Sequence, residues 1–147
     1  MSNSNSLSGV SIHHPNGEVK KISTYNTLLG SGSFQGSGYL THWIVTWAKT
    51  VNGHGVTEGG SSGSPLFDKD GLVIGTLSGG GSSCSNLLET DNYGKVSYSW
   101  TSNGSLASQQ LKPWLDLNNE GVTKMPGSFN TSLTVANFTA NTNVIPV

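Results

Sequence analysis

One glycine-rich stretch, residues 55–67, most constrains how this chain can fold and what it can do. It reads GVTEGGSSGSPLF, with Gly60 two positions before Ser62 and Gly63 directly after it. Glycine adopts backbone angles that other residues resist, so a serine on such a turn can point its hydroxyl outward while neighbouring N–H groups converge. Convergent N–H groups stabilise the oxyanion that forms when a nucleophile attacks a carbonyl. The stretch therefore predicts a serine nucleophile, Ser62, beside an oxyanion hole.

The alternative interpretation of the same stretch is a flexible loop, because Gly-Ser runs are more often linkers than catalytic turns. Two strand-like runs follow it at once, residues 65–67 and 72–77, and the turn-forming residues 68–71 join them. A hairpin directly after the stretch favours an ordered turn over a linker.

Length and composition narrow the class of protein. The 147 residues suffice for one ordinary domain with a tail, only 10% of them are charged, and the net charge is −1. This balance argues against a nucleic-acid binder, and the apolar runs are too short for a membrane span. Many short strands with glycine-rich turns predict an all-β sandwich or barrel. The first nine residues lack the basic and apolar regions of a signal peptide.

Several motifs occur in an order that resembles one family. Residues 55–66, the SSCS of residues 82–85, the DNYGK of residues 91–95 and the Ser99-Trp100 pair resemble the bacterial lysyl endopeptidase group of chymotrypsin-fold serine proteases. The resemblance implies the second six-stranded antiparallel Greek-key barrel of the trypsin-like fold, with a short C-terminal helix and the first barrel absent. It divides the chain into a linker remnant (1–8), the barrel (9–121), and a linker with the truncated start of a β-sandwich accessory domain (122–147).

The resemblance also implies roles for individual residues. Ser62 is the nucleophile, and the backbone N–H groups of Gly60 and Ser62 form the oxyanion hole. Asp91 lies at the base of a pocket that selects lysine, with arginine left open, and Glu58 adds negative charge nearby. Three residues line the pocket and pair with the substrate main chain: Ser78, Gly79 and Gly80. A simple turn role for Asp91 remains the alternative, because Asn92 and Gly94 follow it.

The catalytic histidine and its acid come from the first barrel in the resembled family. The adjacent His13 and His14 point to opposite faces of a strand and are interpreted as polar residues beside a turn, and His54 as a loop residue. We therefore expect no useful peptidase activity from this chain alone, and no cofactor or metal. The expected partners are a peptide or protein substrate and the N-terminal barrel of the same protease. The expected location is secreted or cell-surface, with the signal peptide outside this chain.

A second hypothesis is a non-catalytic secreted β-module that binds peptide or carbohydrate. It would use Trp43 and Trp47 as an outward-facing platform, whereas the other interpretation of this aromatic stripe is barrel core. Cys84 is the only cysteine, and in the resembled family its counterpart pairs with a cysteine near the start of the mature enzyme.

Local patterns predict the remaining elements. Residues 40–47 and 95–100 alternate as strands do, and residues 29–38 are typical of a loop. Residues 105–115 carry apolar side chains at helical spacing, with Ser105 as the cap and Pro113 limiting or kinking the helix.

Overall fold

The fold is an antiparallel β-sheet followed by a short helical segment. The structure is a computed structural model, and it describes residues 5–38 and 40–124. The strands are β1 (Gly9–His13), β2 (Lys21–Tyr25), β3 (Gly30–Gly32), β4 (His42–Val45), β5 (Lys49–Thr50), β6 (Gly53–His54), β7 (Pro65–Asp68), β8 (Val73–Gly80) and β9 (Asp91–Lys95). The helices are α1 (Val96–Thr101) and α2 (Lys112–Leu115), and single 3-10 turns cover Pro15–Gly17 and Ala107–Gln109.

Seven strands form the main sheet in the order β2-β1-β7-β8-β9-β4-β3, while β5 and β6 form a separate hairpin. Every neighbouring pair in the main sheet is antiparallel. Within the described residues the outer strands β2 and β3 do not pair, so backbone hydrogen bonds do not close this sheet into a barrel. The predicted all-β fold with a short C-terminal helix is confirmed.

The core lies on one face of the sheet and contains the predicted aromatic stripe. Trp43, Val45 and Trp47 are 1%, 0% and 2% exposed. The indole N–H of Trp43 donates to the backbone oxygen of Ile74 at 3.0 Å, so its single polar atom is satisfied inside the core. Ten buried apolar and aromatic residues form one cluster: Tyr25, Leu29, Trp43, Val45, Trp47, Val56, Leu66, Ile74, Leu77 and Tyr93.

Three local predictions differ from the structure. The strand predicted over residues 95–100 ends at Lys95, and α1 follows directly; the apolar residues Val96 and Trp100 stand four apart, a spacing that fits a helix as well as a strand. The helix predicted over residues 105–115 is split into a 3-10 turn and α2, because Pro113 fits only the first turn of a helix. The loop predicted over residues 29–38 contains β3, which pairs with β4.

The remaining predicted boundaries concern the ends of the chain. Residues 1–4 and 125–147 lie outside the described residues, and the predicted accessory-domain start falls almost entirely there. No helix within the described residues is both long and apolar enough to span a bilayer.

Candidate active site

The glycine-rich stretch forms an ordered turn between β6 and β7, with Ser62 exposed at its tip. Gly60 and Gly63 have φ angles of +89° and +80°, which glycine tolerates and other residues resist. The N–H of Gly63 donates to the Leu77 carbonyl at 2.8 Å, and the N–H of Leu77 donates to the Ser64 carbonyl at 2.9 Å. The turn is thus fixed to β8 on both sides of Gly63 rather than hanging free.

Two backbone donors on the turn are free. Among the described residues, no protein acceptor receives a hydrogen bond from the N–H of Gly60 or from the N–H of Ser62. The N–H of Ser61, which lies between them, donates to the Glu58 carbonyl at 3.1 Å. Each of these two N–H groups can therefore donate to another oxygen without the loss of an internal hydrogen bond.

The turn at Pro15–Gly17 supports the stretch from behind. The N–H of Asn16 donates to the Gly59 carbonyl at 2.7 Å, and a Cβ atom on Gly60 would stand 3.4 Å from the His14 carbonyl. The side chain of Glu58 accepts from the Asn16 amide through Oε2 and from the Cys84 backbone N–H, at 2.9 Å, through Oε1. Glu58 thus joins two loops. Its carboxylate also raises the pKa of the exposed Cys84 thiol.

The carboxylate of Asp91 is buried, with the residue only 1% exposed. Its Oδ2 atom accepts from the Trp47 indole at 2.6 Å, the Thr57 hydroxyl at 2.5 Å and the Ser82 hydroxyl at 2.6 Å. All three donors are neutral, and no lysine or histidine among the described residues forms an ion pair with Asp91. Hydrogen bonds thus stabilise a buried charge that lacks a cationic partner.

The other carboxylate oxygen of Asp91 is much less occupied. Among the described residues, Oδ1 accepts only the Ser82 backbone N–H, at 3.3 Å. It faces Gly80, where any side chain would collide with it. Glycine at this position therefore lets the backbone of β8 pack directly against Oδ1 of Asp91.

Ser78 and Gly79, at the end of β8, lie beside a histidine and an aromatic ring. The exposed Ser78 hydroxyl is 2.9 Å from Nε2 of His42. The Phe34 ring lies 5.7 Å from the His42 ring, centroid to centroid, and stands over Gly79, where a Cβ atom would meet it at 3.1 Å. Burial, together with the charge of Lys95, lowers the pKa of His42, which favours a neutral ring that bonds to hydroxyl groups.

All four histidines contact groups other than the Ser62 hydroxyl. His13 bonds to two buried serines, His14 to the Glu18 carbonyl, His42 to Thr41 and Ser78, and His54 to the Trp47 carbonyl. The Ser62 hydroxyl has no hydrogen-bond partner within the described part of the chain.

A comparison with protein families decides where this chain belongs. Residues 1–94 of its 147 match the model of the lysyl endopeptidase C-terminal domain. The chain belongs to this family. The match covers the Ser62 turn, β8 and the Asp91 segment of this lysyl endopeptidase C-terminal domain, and it ends one residue before β9 does.

The donors that bond to Asp91, and the burial of His13, were not predicted from the sequence. Trp47, Thr57 and Ser82 bond to Asp91 from three separate segments of the chain. His13, interpreted as a polar residue beside a turn, is instead 2% exposed. The alternating pattern of β1 contained one signal, because it places His13 on the same face as the buried Ser11.

Proposed function

We propose that this lysyl endopeptidase C-terminal domain supplies the nucleophile, the oxyanion hole and the specificity pocket of a serine endopeptidase that cleaves after lysine. The observation that supports this best is the buried Asp91 carboxylate, which has three neutral donors on Oδ2 and a single, longer hydrogen bond at Oδ1. A buried carboxylate without a cation is a strong site for a positively charged ligand, because the low-dielectric surroundings strengthen the attraction.

The geometry of Asp91 favours an ammonium group over a guanidinium group. Guanidinium binds a carboxylate best through both oxygens at once. Three donors already occupy Oδ2 of Asp91, so only Oδ1 is available. A lysine side chain ends in a compact charge on an unbranched stem and needs a single oxygen, which suits a carboxylate buried below Gly80.

In the reaction that we propose, the Ser62 hydroxyl oxygen attacks the carbonyl carbon of the residue whose side chain occupies the pocket. The carbonyl oxygen becomes an oxyanion that accepts hydrogen bonds from the N–H groups of Gly60 and Ser62. A base takes the serine proton and returns it to the leaving amine, which gives an acyl-serine that water hydrolyses. Since each of the four histidines bonds elsewhere, we propose that the base and its acid come from the N-terminal barrel of the same protease. A secreted or cell-surface setting belongs to the same proposal.

The pocket can be tested without catalysis, by titrating the 147-residue chain with n-butylammonium and n-propylguanidinium while its amide NMR signals are recorded. We expect saturable binding of the amine near Asp91, at least about tenfold tighter than that of the guanidine, a difference of about 1.4 kcal/mol. Asp91→Asn should abolish the preference. Asp70→Asn is the matched control, because it removes a surface charge on the β7–β8 turn and should leave binding unchanged. Equal affinities for the two cations in the unmodified chain would contradict the proposal.

A second variant tests the smaller role predicted for Glu58. Both of its oxygens already accept hydrogen bonds from loop groups, so its charge contributes less to a cation at Oδ1 of Asp91. We expect Glu58→Gln to weaken amine binding less than threefold, on the order of 0.6 kcal/mol. A loss as large as that of Asp91→Asn would instead make Glu58 the main cation partner.

Hydrolysis of a lysyl ester by the chain alone tests whether the catalytic base must come from the N-terminal barrel. We expect none above background, because the Ser62 hydroxyl has no base. Robust hydrolysis that Ser62→Ala abolishes would show that the chain completes a catalytic unit from its own residues.

The alternative of a carbohydrate- or peptide-binding β-module depended on outward-facing Trp43 and Trp47. Both rings are buried in the core, so this platform is not available.

We also propose a domain boundary near Gly121, whose N–H donates to Asp116 Oδ2 at 3.2 Å and closes the segment after α2. Limited proteolysis that cuts the chain just beyond residue 121 would support that boundary.

A further inference from the structure

A buried row of three polar side chains lies directly behind the Ser62 turn. Nδ1 of His13 is 3.1 Å from the Ser61 hydroxyl, and Nε2 is 2.8 Å from the Ser23 hydroxyl. The three residues are 2%, 2% and 0% exposed. The row therefore runs from the edge strand β2, through β1, to the residue covalently bound to Ser62.

Ser61 lies between Gly60 and Ser62, the two residues of the turn whose N–H groups have no acceptor within the described residues. Its N–H donates to the Glu58 carbonyl at 3.1 Å, and its carbonyl accepts from the Ser64 N–H at 3.0 Å. The peptide groups on either side of Ser61 belong to the segment that carries the Gly60 and Ser62 N–H groups. A displacement of the Ser61 side chain would therefore rotate the donors of the proposed oxyanion hole.

The Ser23 end of the row is packed against the chain that leads into the turn. The backbone of Gly55, which leads into the turn, approaches Ser23 so closely that a Cβ atom on Gly55 would stand 2.7 Å from the Ser23 hydroxyl oxygen. His13 is thus held between two serines, one against the entry to the turn and the other at its centre.

We propose that His13 is a positioning residue that holds the Ser61–Ser62 turn in its donor-presenting form through the Ser61 hydroxyl. This inference rests on the proposed function, because it concerns the oxyanion hole of that same site. A buried imidazole with two hydroxyl partners matches donors and acceptors in its neutral form, one ring nitrogen donating and the other accepting.

A change in the charge of His13 should therefore alter the conformation of the Ser61–Ser62 turn. Burial lowers the pKa of His13, the charge of Asp91 opposes this effect, and His14 adds to it. Lys21, the register partner of His13 on β2, directs its ammonium toward Glu18 at 4.0 Å. When His13 gains a proton, both ring nitrogens donate, so both serine hydroxyls must accept and one of the two hydrogen bonds in the row reverses.

The test uses the 147-residue chain and NMR signals from pH 7.5 to 4.5. We expect the His13 ring to titrate below its ordinary value of about 6.5, and the Gly60 and Ser62 amide signals to move with the same midpoint. In Ser61→Ala the ring should still titrate, while the two amides no longer follow it. His14→Gln is the matched control, since its ring contacts the Glu18 carbonyl, and the amides should still follow His13. Amides that ignore the His13 titration in the unmodified chain would overturn the proposal.

Two further variants separate positioning from simple support of the fold. His13→Gln can keep one hydrogen bond to Ser61, and we expect it to retain the amide positions seen at pH 7.5, whereas His13→Phe should shift them. If both variants shift the amides equally, the ring acts as packing only and the proposal fails. The same samples are titrated with n-butylammonium. Absence of amine binding by the unmodified chain would overturn the proposed pocket but would leave the His13 result intact. The two proposals can therefore fail separately.

Discussion

The sheet and the segment that follows it use tryptophan in opposite ways. In and just after β4, Trp43 and Trp47 are 1% and 2% exposed, whereas Trp114 in α2 is 64% exposed. Trp43 and Trp47 are packed among the side chains of neighbouring strands, and their indole N–H groups bond to Ile74 and Asp91. Within the part of the chain that the structure describes, the N–H of Trp114 bonds to the nearby Ala107 carbonyl. The comparison teaches that aromatic spacing marks a core only where a second element covers it.

The largest effect should come from removing a ring in the sheet. Trp43→Ala deletes a buried indole and the hydrogen bond to Ile74, and we expect a loss of about 3–5 kcal/mol in the free energy of unfolding. Urea unfolding followed by circular dichroism measures this loss. A loss below about 1 kcal/mol would mean that the core does not depend on this ring. The contrast between buried and exposed tryptophans would then have no consequence for stability.

A smaller effect should appear as a change of stability with pH. Burial lowers the pKa of both His13 and His42 in the folded protein, so the unfolded chain takes up protons first as the pH falls. Stability is therefore complete above about pH 6.5 and declines as the pH falls below it. Urea unfolding at pH 7.5, 6.5, 5.5 and 5.0 checks this dependence.

His13→Gln and His42→Gln should each flatten the pH dependence. Leu117→Ser, at a residue 80% exposed in the segment after α2, should keep it. A dependence that survives both histidine substitutions would place its origin outside these two rings.

The smallest effect should come from the exposed tryptophan. Trp114→Ala leaves the sheet untouched and removes a largely solvated ring, so we expect a change within about 0.5 kcal/mol. The same urea experiment serves as the counterpart of Trp43→Ala. A loss near that of Trp43→Ala would mean that Trp114 is buried by a part of the chain beyond residue 124. The comparison would then be between two hydrophobic cores.

The sequence predicted the sheet better than the segment after it, for a physical reason. Alternation and turn residues correctly indicated the β7–β8 hairpin and the buried face of β4, because burial on one face imposes a period of two. After Lys95 no residue of α1 or α2 is buried, so nothing enforced the pattern of residues 95–100. Pro113 then decided where α2 could begin.

The candidate site was predictable only in part. The glycines around Ser62 signal a turn from the sequence alone, and Asp91 was proposed from a motif. The donors that hold Asp91 come from positions 9, 34 and 44 residues away. Single-sequence patterns describe local periodicity, so contacts over such separations leave no signature in them. The partners of His13, 10 and 48 residues away, were missed for the same reason.

The hydrogen bond from Trp47 to Asp91 would make the proposed pocket readable by fluorescence. Indole emission depends on the electric field around the ring, and the carboxylate that accepts from Trp47 is the one that we propose a substrate cation neutralises. An amine that reached Oδ1 would change that field without touching the indole. Under the proposed function, the protein thus contains its own fluorescent indicator of occupancy, placed on the side of the carboxylate that the ligand would not contact.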